Sequence, residues 1–579
     1  MRTSALLLLA LTLNGICPVP NWCRADVVLR SDERPLAHRP SRLVWDASQR
    51  RLLSVDSANQ LLTVHQEHVA TSDWDRTAWQ IPGEPVDICE ESNGSSRFWV
   101  ADSTGPQVRC IDLGKSSPRI VRSLPLAGTP SRVVSNGKVL AIAQRWQHRV
   151  SFVSIQNEDR AALVDVPLEF APGEMLLTPD GTTLIVADAF QGKFAVIDAA
   201  TLKVVSEREI TVHNIGGLAW SDDAELLVTC QKLHPYPTTA SNIASGLVIE
   251  NLLLTLQFDT EQHTLTVRHE KELGTPSQGA ADPVGIAANA NGELFIAAAG
   301  VDHLLQLTAQ HEVYGRLEIG RHPTQVIADR KHHRCFVLES FTPAIRVVDT
   351  RSGVTQTQLE FGPAAEKSPA QRGEELFLDA RSSQFQWMSC QSCHSRAHTN
   401  GRLADTFGDG TEGAPKQVPS LLGTRDNNPW AWNGSMQTLH GQVTKSFHST
   451  MHSPDTSARD VMDVVAYLHS LAPAPPLQVD DEKLISQGQR IFNDRGCQRC
   501  HIPPLTFTSD LTYDVGLADE HGLKKYNPPS LRGVGQRFGF FHDLRAPTLE
   551  SVFEEYGHQL DDSLTPRQLR ALVAYLQSL

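Results

Sequence analysis

The sequence predicts a multidomain chain, an all-β seven-bladed propeller followed by two mainly α domains. Three observations predict it. Short apolar runs bounded by turn residues recur every 40–45 residues or so over the first 360 positions, a period that belongs to radially repeated β-blades. Two later stretches of helical periodicity resemble each other in pattern. Proline-containing breaks separate the three parts.

Taken in order, Met1-Arg2-Thr3 and the apolar run Ala5 to Leu13 read as an export signal over residues 1–25, cleaved after Ala25. Its core is too short to span a bilayer, and no later stretch reads as a transmembrane segment. Ile16, before Cys17, stands where a lipid anchor would need a small residue. The expected location is the periplasm or an equivalent extracytoplasmic space.

Residues 26–362 are expected to form the propeller. Its apolar runs are Leu52–Ser57, Phe98–Ser103, Val139–Arg145, Leu184–Phe190, Leu226–Lys232, Leu294–Gly300 and Cys335–Ser340, whose starts lie 46, 41, 45, 42, 68 and 41 residues apart. Asn136-Gly137, Asp180-Gly181 and Asn291-Gly292 are hairpin dipeptides that accept positive φ. Seven runs imply seven blades. The long interval after Lys232, with His234-Pro235-Tyr236-Pro237 and Leu247–Leu256, reads as an insertion over one face. Val27-Val28-Leu29 is expected to pair near Ile345–Val348 and close the ring. This part resembles the YVTN-type propellers. No clustered metal-ligand spacing occurs in the blades, and His332-His333 and Arg321-His322-Pro323 read as solvated turns, so the expected role is scaffold or docking surface. Cys89 and Cys110 are the nearest pair for a disulfide, with burial on strands as the alternative.

A linker at 363–372 leads to a first domain at 373–472; a second linker at 473–480 leads to a second domain at 481–579. Gly373-Glu374-Glu375-Leu376-Phe377 and Gly488-Gln489-Arg490-Ile491-Phe492 open the two domains, and amphipathic helices ending at Leu471 and Leu579 close them. Each holds one C-x-x-C-H run, Cys390-Gln391-Ser392-Cys393-His394 and Cys497-Gln498-Arg499-Cys500-His501. Two thiols one helical turn apart can add to the vinyl groups of haem, and the next imidazole reaches the iron. Paired zinc-ribbon motifs sit closer together than these two, whose starts are 107 residues apart. Two covalent haem c groups are expected, bound through Cys390, Cys393, Cys497 and Cys500, with His394 and His501 on the iron. The domains are thus cytochrome c domains.

The tandem resembles the bacterial di-haem cytochrome c peroxidase and MauG family. The likeness rests on Asn527-Pro528-Pro529-Ser530-Leu531-Arg532, Phe541-His542-Asp543 and Thr548-Leu549-Glu550. It implies peroxide chemistry, with Tyr556, seven residues past Leu549, as sixth ligand of haem 2; a half-buried packing residue is the alternative. His542 and His558 are further candidates there. The same register sets Ser446 opposite Tyr556, which leaves haem 1 open unless Met451 closes it. The family's distal glutamate is missing from Thr450-Met451-His452, so His452 is the candidate proton shuttle, and Asp409 stands where many members carry a histidine. Trp432 matches the tryptophan between the haems. Ca2+ is implied by the resemblance alone, and the loop Gly408–Glu412 has few carboxylates for it.

The formal charge of −14 becomes −16 without Arg2 and Arg24. That argues against nucleic acid and anionic membranes and suits a small basic electron donor or acceptor, or a protein substrate, as partner, with hydrogen peroxide as oxidant. The rival expectation is a non-catalytic electron-transfer protein with both haems six-coordinate.

Overall fold

A computed structural model describes residues 37–114, 117–156, 162–363 and 365–579. The export signal and Val27-Val28-Leu29 lie outside the described residues.

Seven four-stranded antiparallel meanders follow one another, from Pro40–Asp46 in the first to Thr355–Glu360 in the last, and form a seven-bladed propeller. Each run picked out by periodicity is the second strand of its blade, as Arg51–Asp56 and Arg334–Glu339 illustrate. A second strand has neighbours on both edges and blades on both faces, so its sequence reads as almost continuously apolar. Thr183–Asp188 is buried along its whole length. The outer strand of the same blade, Lys203–Glu209, is polar and mostly exposed.

Among the described residues every blade is already four-stranded. Ile345–Val348 already pairs with Cys335–Leu338 on one edge and with Thr355–Leu359 on the other, so the edge expected for Val27–Leu29 is taken. Side chains link the last blade to the first. Gln325 Oε1 accepts from the Leu43 N–H at 2.8 Å, and Gln325 Nε2 donates to the Leu43 carbonyl at 3.0 Å. Arg334 holds Glu67 with two bonds of 2.7 and 2.6 Å, a fork-to-fork geometry that fixes orientation as well as charge. Cys89 and Cys110 both pair with Trp99, from opposite edges of its strand. Two strand spacings, about 9–10 Å, put them beyond disulfide reach, and both are free thiols.

The innermost strands carry charge toward the axis, where Glu174 meets Arg132 at 2.6 Å and Arg42 at 3.4 Å. Burial raises the Glu174 carboxyl, but the two guanidiniums outweigh it and bring it down to about 2. A carboxyl lowered from 4.5 contributes its full stability above that value and loses it as the pH falls toward 2. The stability advantage of the wild type over Glu174→Gln is therefore expected to be largest above pH 4.5 and to shrink toward pH 2. Urea unfolding across that range checks this, and a constant difference would contradict the pairing.

His322 is not a solvated turn residue: it stacks on Phe341 with ring centroids 4.7 Å apart, and burial lowers it to about 4. His332 sits on its turn, its Nδ1 held by Asp329 at 2.9 Å. The long interval of the fifth blade joins Glu225–Leu233 to Ile249–Asp259 through the helical turn Ala240–Ala244. Ile243, Val248 and Ile249 pack on Trp387, Met388 and Met451 of the first helical unit, and the Thr238 N–H donates to the Asp405 carbonyl at 2.9 Å. The insertion thus fastens the propeller to the helices.

In each helical unit an opening helix crosses a closing one: Pro369–Phe377 on Ala458–Ser470, and Glu482–Asp494 on Pro566–Gln577. Capping boxes at Ser368/Gln371 and Thr565/Gln568, each followed by proline in the first turn, start two of them. The crossings require glycine. A Cβ on Gly373 would lie 1.8 Å from the Asp463 carbonyl oxygen, and one on Gly488 1.9 Å from that of Ala571. Gly373→Ala and Gly488→Ala are each expected to cost about 1–3 kcal/mol in urea unfolding, because overpacking outweighs the better helix propensity of alanine. A stabilised variant would show that the helices separate freely.

Candidate functional site

Cys390–Cys393 forms one helical turn, begun by Ser389, whose Oγ accepts from the Ser392 N–H while Ser392 Oγ accepts from the Ser389 N–H. The turn faces two ways. On one side Cys390, Cys393 and His394 line a cavity of about 310 Å3. On the other the propeller grips it. Asp282, buried and at φ 54°, accepts from Ser389 Oγ at 2.6 Å and from Ser392 Oγ at 2.7 Å. His213 Nε2 donates to the Ser392 carbonyl at 2.7 Å, and Asn214 Nδ2 to that of Gln391 at 3.1 Å. Burial raises the Asp282 carboxyl while the serine hydroxyls lower it. None of these partners was visible in the sequence, since each lies more than a hundred residues from the motif.

Inside the cavity, His394 Nδ1 donates to the Pro419 carbonyl at 2.9 Å, which leaves Nε2 free for iron. Burial lowers His394 to about 4, so the imidazole is neutral, the ligating form. Phe377, Leu421, Trp430, Val443, Phe447 and Leu468 supply apolar walls. Two thiols and a free imidazole nitrogen at an apolar cavity fit a covalently held haem.

The helix Leu439–Lys445 widens into a π turn over Ser446–Thr450. The extra residue per turn shifts the register of the chain beyond it, and Met451 enters the lining, buried, with Sδ 4.0 Å from Cys390 Sγ. Ser446 also lines the cavity, its Oγ donating to the Gln442 carbonyl at 3.0 Å. Gln442 Oε1 is buried without a hydrogen-bond partner. Sequence reasoning missed Gln442; its one signal is its place four residues before Ser446, on the same helical face. His452 is not brought to the cavity. Its backbone is left-handed, at φ 49°, and its Nε2 donates to the Thr238 carbonyl of the propeller at 2.8 Å. Trp432 does line the cavity, with Nε1 on the Gln417 carbonyl at 2.8 Å and its own carbonyl accepting from the Asn527 N–H at 2.9 Å. The lining continues past it to Pro529 and Ser530 of the second unit.

At the second motif, Cys497–Arg499 is a 3-10 turn entered through Gly496 at φ 75°. His501 Nδ1 donates to the Phe507 carbonyl at 3.1 Å, and burial lowers this imidazole to about 4, so the tautomer and charge match those of His394. The Tyr556 hydroxyl donates to the Arg545 carbonyl at 2.9 Å. Tyr556 and His558 each meet Phe541 edge-on, with centroids 5.5 Å away. His558 Nδ1 is enclosed without a partner, and burial lowers its pKa. His542 is held elsewhere, stacked on Tyr526 at 4.4 Å.

In the loop 408–412, Asp409 Oδ1 accepts from the Thr411 N–H at 3.0 Å, and Asp409 Oδ2 lies 3.9 Å from Lys416 Nζ. Among the described residues no three or more His, Cys, Asp or Glu side chains gather as a metal-ion site, and no helix is long and apolar enough to cross a membrane.

A propeller fastened to helical units that present thiols and a neutral imidazole defines a c-type haem redox protein. Residues 367–474 match the family model described as di-haem cytochrome c peroxidase. Cytochrome c551 peroxidase of Nitrosomonas europaea is 22% identical over 264 residues, which cover 36% of this chain and 79% of that protein. The protein of the same name from Pseudomonas aeruginosa is 22% identical over 284 residues, 38% of this chain and 81% of its own length. Among solved structures, hydrazine synthase of Kuenenia stuttgartiensis aligns with 56% of this chain and 98% of its own, at 15% identity and a TM-score of 0.47.

Proposed function

We propose that the chain is a periplasmic peroxide-activating oxidoreductase with two covalent haems c, whose propeller docks a protein substrate or redox partner. When bound, the haems supply iron that exchanges single electrons and, at His394, a position for peroxide. The chain's residues do the rest. His394 and His501 are held as neutral ligands by the Pro419 and Phe507 carbonyls. The unpaired Gln442 Oε1 accepts a hydrogen bond from an O–H in the cavity and so orients peroxide, a task that His452, bonded to Thr238, is not placed to perform. Trp432 carries electrons from the second unit to the first, and the net charge of −14 favours a basic electron donor. The observation that carries this reading is the shared cavity, lined by the first attachment motif, by Gln442 and Ser446, and past Trp432 by the second unit. Electron paramagnetic resonance of the ferric protein is expected to show a high-spin signal that hydrogen peroxide abolishes. A spectrum indifferent to stoichiometric peroxide would refute the proposal.

A second reading, electron transfer alone with both irons six-coordinate, is favoured by the buried Met451 thioether 4.0 Å from Cys390 Sγ. On that reading Met451→Ala converts one of two low-spin signals to high spin. On the peroxide reading the high-spin signal is present in the wild type and survives the substitution.

At haem 2 the family register assigns Tyr556 as sixth ligand. Tyr556→Phe is therefore expected to leave attachment intact and to change that haem's ferric spectrum. An unchanged spectrum would transfer the role to His558, whose Nδ1 has no partner.

A further inference from the structure

A second cavity, of about 390 Å3, lies on the axis of the propeller, and all seven innermost strands contribute to its wall. One end is covered by the first haem-attachment peptide. Gln391, between the two cysteines, and Arg396, two residues past His394, line this chamber, whereas Cys390, Cys393 and His394 line the haem cavity. The two cavities share no lining residue.

The charges in and around the chamber do not balance. Arg42, Arg132 and Arg396 surround Glu174, at 3.4, 2.6 and 3.9 Å, and Asp87 lies 3.3 Å from Arg42. Arg145 adds a fourth guanidinium; its Nε is enclosed and meets no acceptor. Burial, with Arg396 and Arg132 adding repulsion, pushes Arg145 well below its ordinary value. Arg39 and Glu374 pair with each other. His322, which also lines the chamber, is neutral at pH 7, lowered by burial to about 4. Asp282 is a third carboxylate on the wall, already engaged by Ser389 and Ser392. Even with Asp282 counted as ionised, positive charge is in excess. A guanidinium does not give up its proton to relieve this, and enclosed charge demands a counter-charge.

We propose that the axial chamber binds a small oxyanion, a carboxylate or a phosphate, through Arg42, Arg132 and Arg396, and that its occupancy is felt at haem 1 through Arg396 and Gln391. This is independent of whether haem 1 activates peroxide. Arg132 gives Nε and Nη2 to Glu174 and Nη1 to the Ser131 carbonyl, so it contributes mainly charge, while N–H groups of Arg42 and Arg396 not spent on Glu174 and Asp87 meet the planar or tetrahedral oxygens that guanidiniums suit. An anion bound beside the attachment peptide favours the more positive, ferric state of that haem.

The haem-loaded full chain is titrated with inorganic phosphate, with succinate and, as control, with chloride at equal ionic strength. Thermal unfolding and the midpoint potential of each haem are followed. Saturable stabilisation by phosphate or succinate beyond that by chloride is expected, with haem 1 moving to lower potential and haem 2 unmoved. A response to phosphate alone identifies a phosphoryl ligand, and one to succinate alone a carboxylate. Arg132→Gln and, independently, Arg42→Gln are expected to weaken binding at least tenfold, and Glu174→Gln to tighten it. No saturable response to either oxyanion, an equal response to chloride, or unchanged binding in both arginine variants would overturn the proposal.

Discussion

Asp282→Ala is expected to lower the stability of the chain by about 2–4 kcal/mol and to reduce the haem held at the first motif. The carboxylate is 107 and 110 residues from the two serines whose hydroxyls it accepts, yet all three side chains are buried. Removing it leaves two enclosed hydroxyls without their acceptor, and each such orphan costs about 1–3 kcal/mol. The loss is less than doubled, because Ser389 and Ser392 keep their reciprocal bonds to each other's N–H. Asp282→Asn retains one acceptor oxygen and should cost about half as much. Urea unfolding gives the stability, and the pyridine haemochrome spectrum gives haem bound per chain. If Asp282→Ala unfolds at the wild-type urea concentration with full haem content, the propeller does not position the attachment turn.

The dependence on Asp282 also shows what was legible in the sequence and what was not. The attachment motifs were legible because haem chemistry requires two thiols and an imidazole within five consecutive residues. The blades were legible because each second strand is covered on all sides, and burial of that kind leaves an apolar run. The polar outer strand Thr355–Glu360 left no such mark. Gln325 and Arg334, which link the last blade to the first, likewise stand at positions that look like ordinary polar residues. Asp282, His213 and Gln442 were illegible for a related reason: their roles depend on what folding brings beside them, not on neighbours in the chain. The fate of His452 and Met451 turned on the π turn at Ser446–Thr450, a one-residue change in helical register without a sequence signature.

Trp387→Ala should be the most destabilising single change between the propeller and the first helical unit, at about 3–5 kcal/mol. The indole is 2% exposed. It lies directly on the backbone of the fifth-blade region: a Cβ on Gly246 would come within 2.5 Å of the ring, and one on Gly274 within 2.7 Å. Those glycines let main chain approach the ring face, and on that side only backbone borders the space an alanine would leave. The Trp387 Nε1 has no hydrogen-bond partner. Most of the indole's contribution is thus packing, and Trp387→Phe should recover the greater part of it. Gly246→Ala attacks the same contact from the other side, with added strain because Gly246 adopts φ 72°. If one contact is responsible, the double variant Trp387→Ala/Gly246→Ala will be markedly less destabilised than the sum of the singles, since a truncated ring has room for the added methyl. Strict additivity in urea unfolding would mean that the two residues stabilise the chain separately.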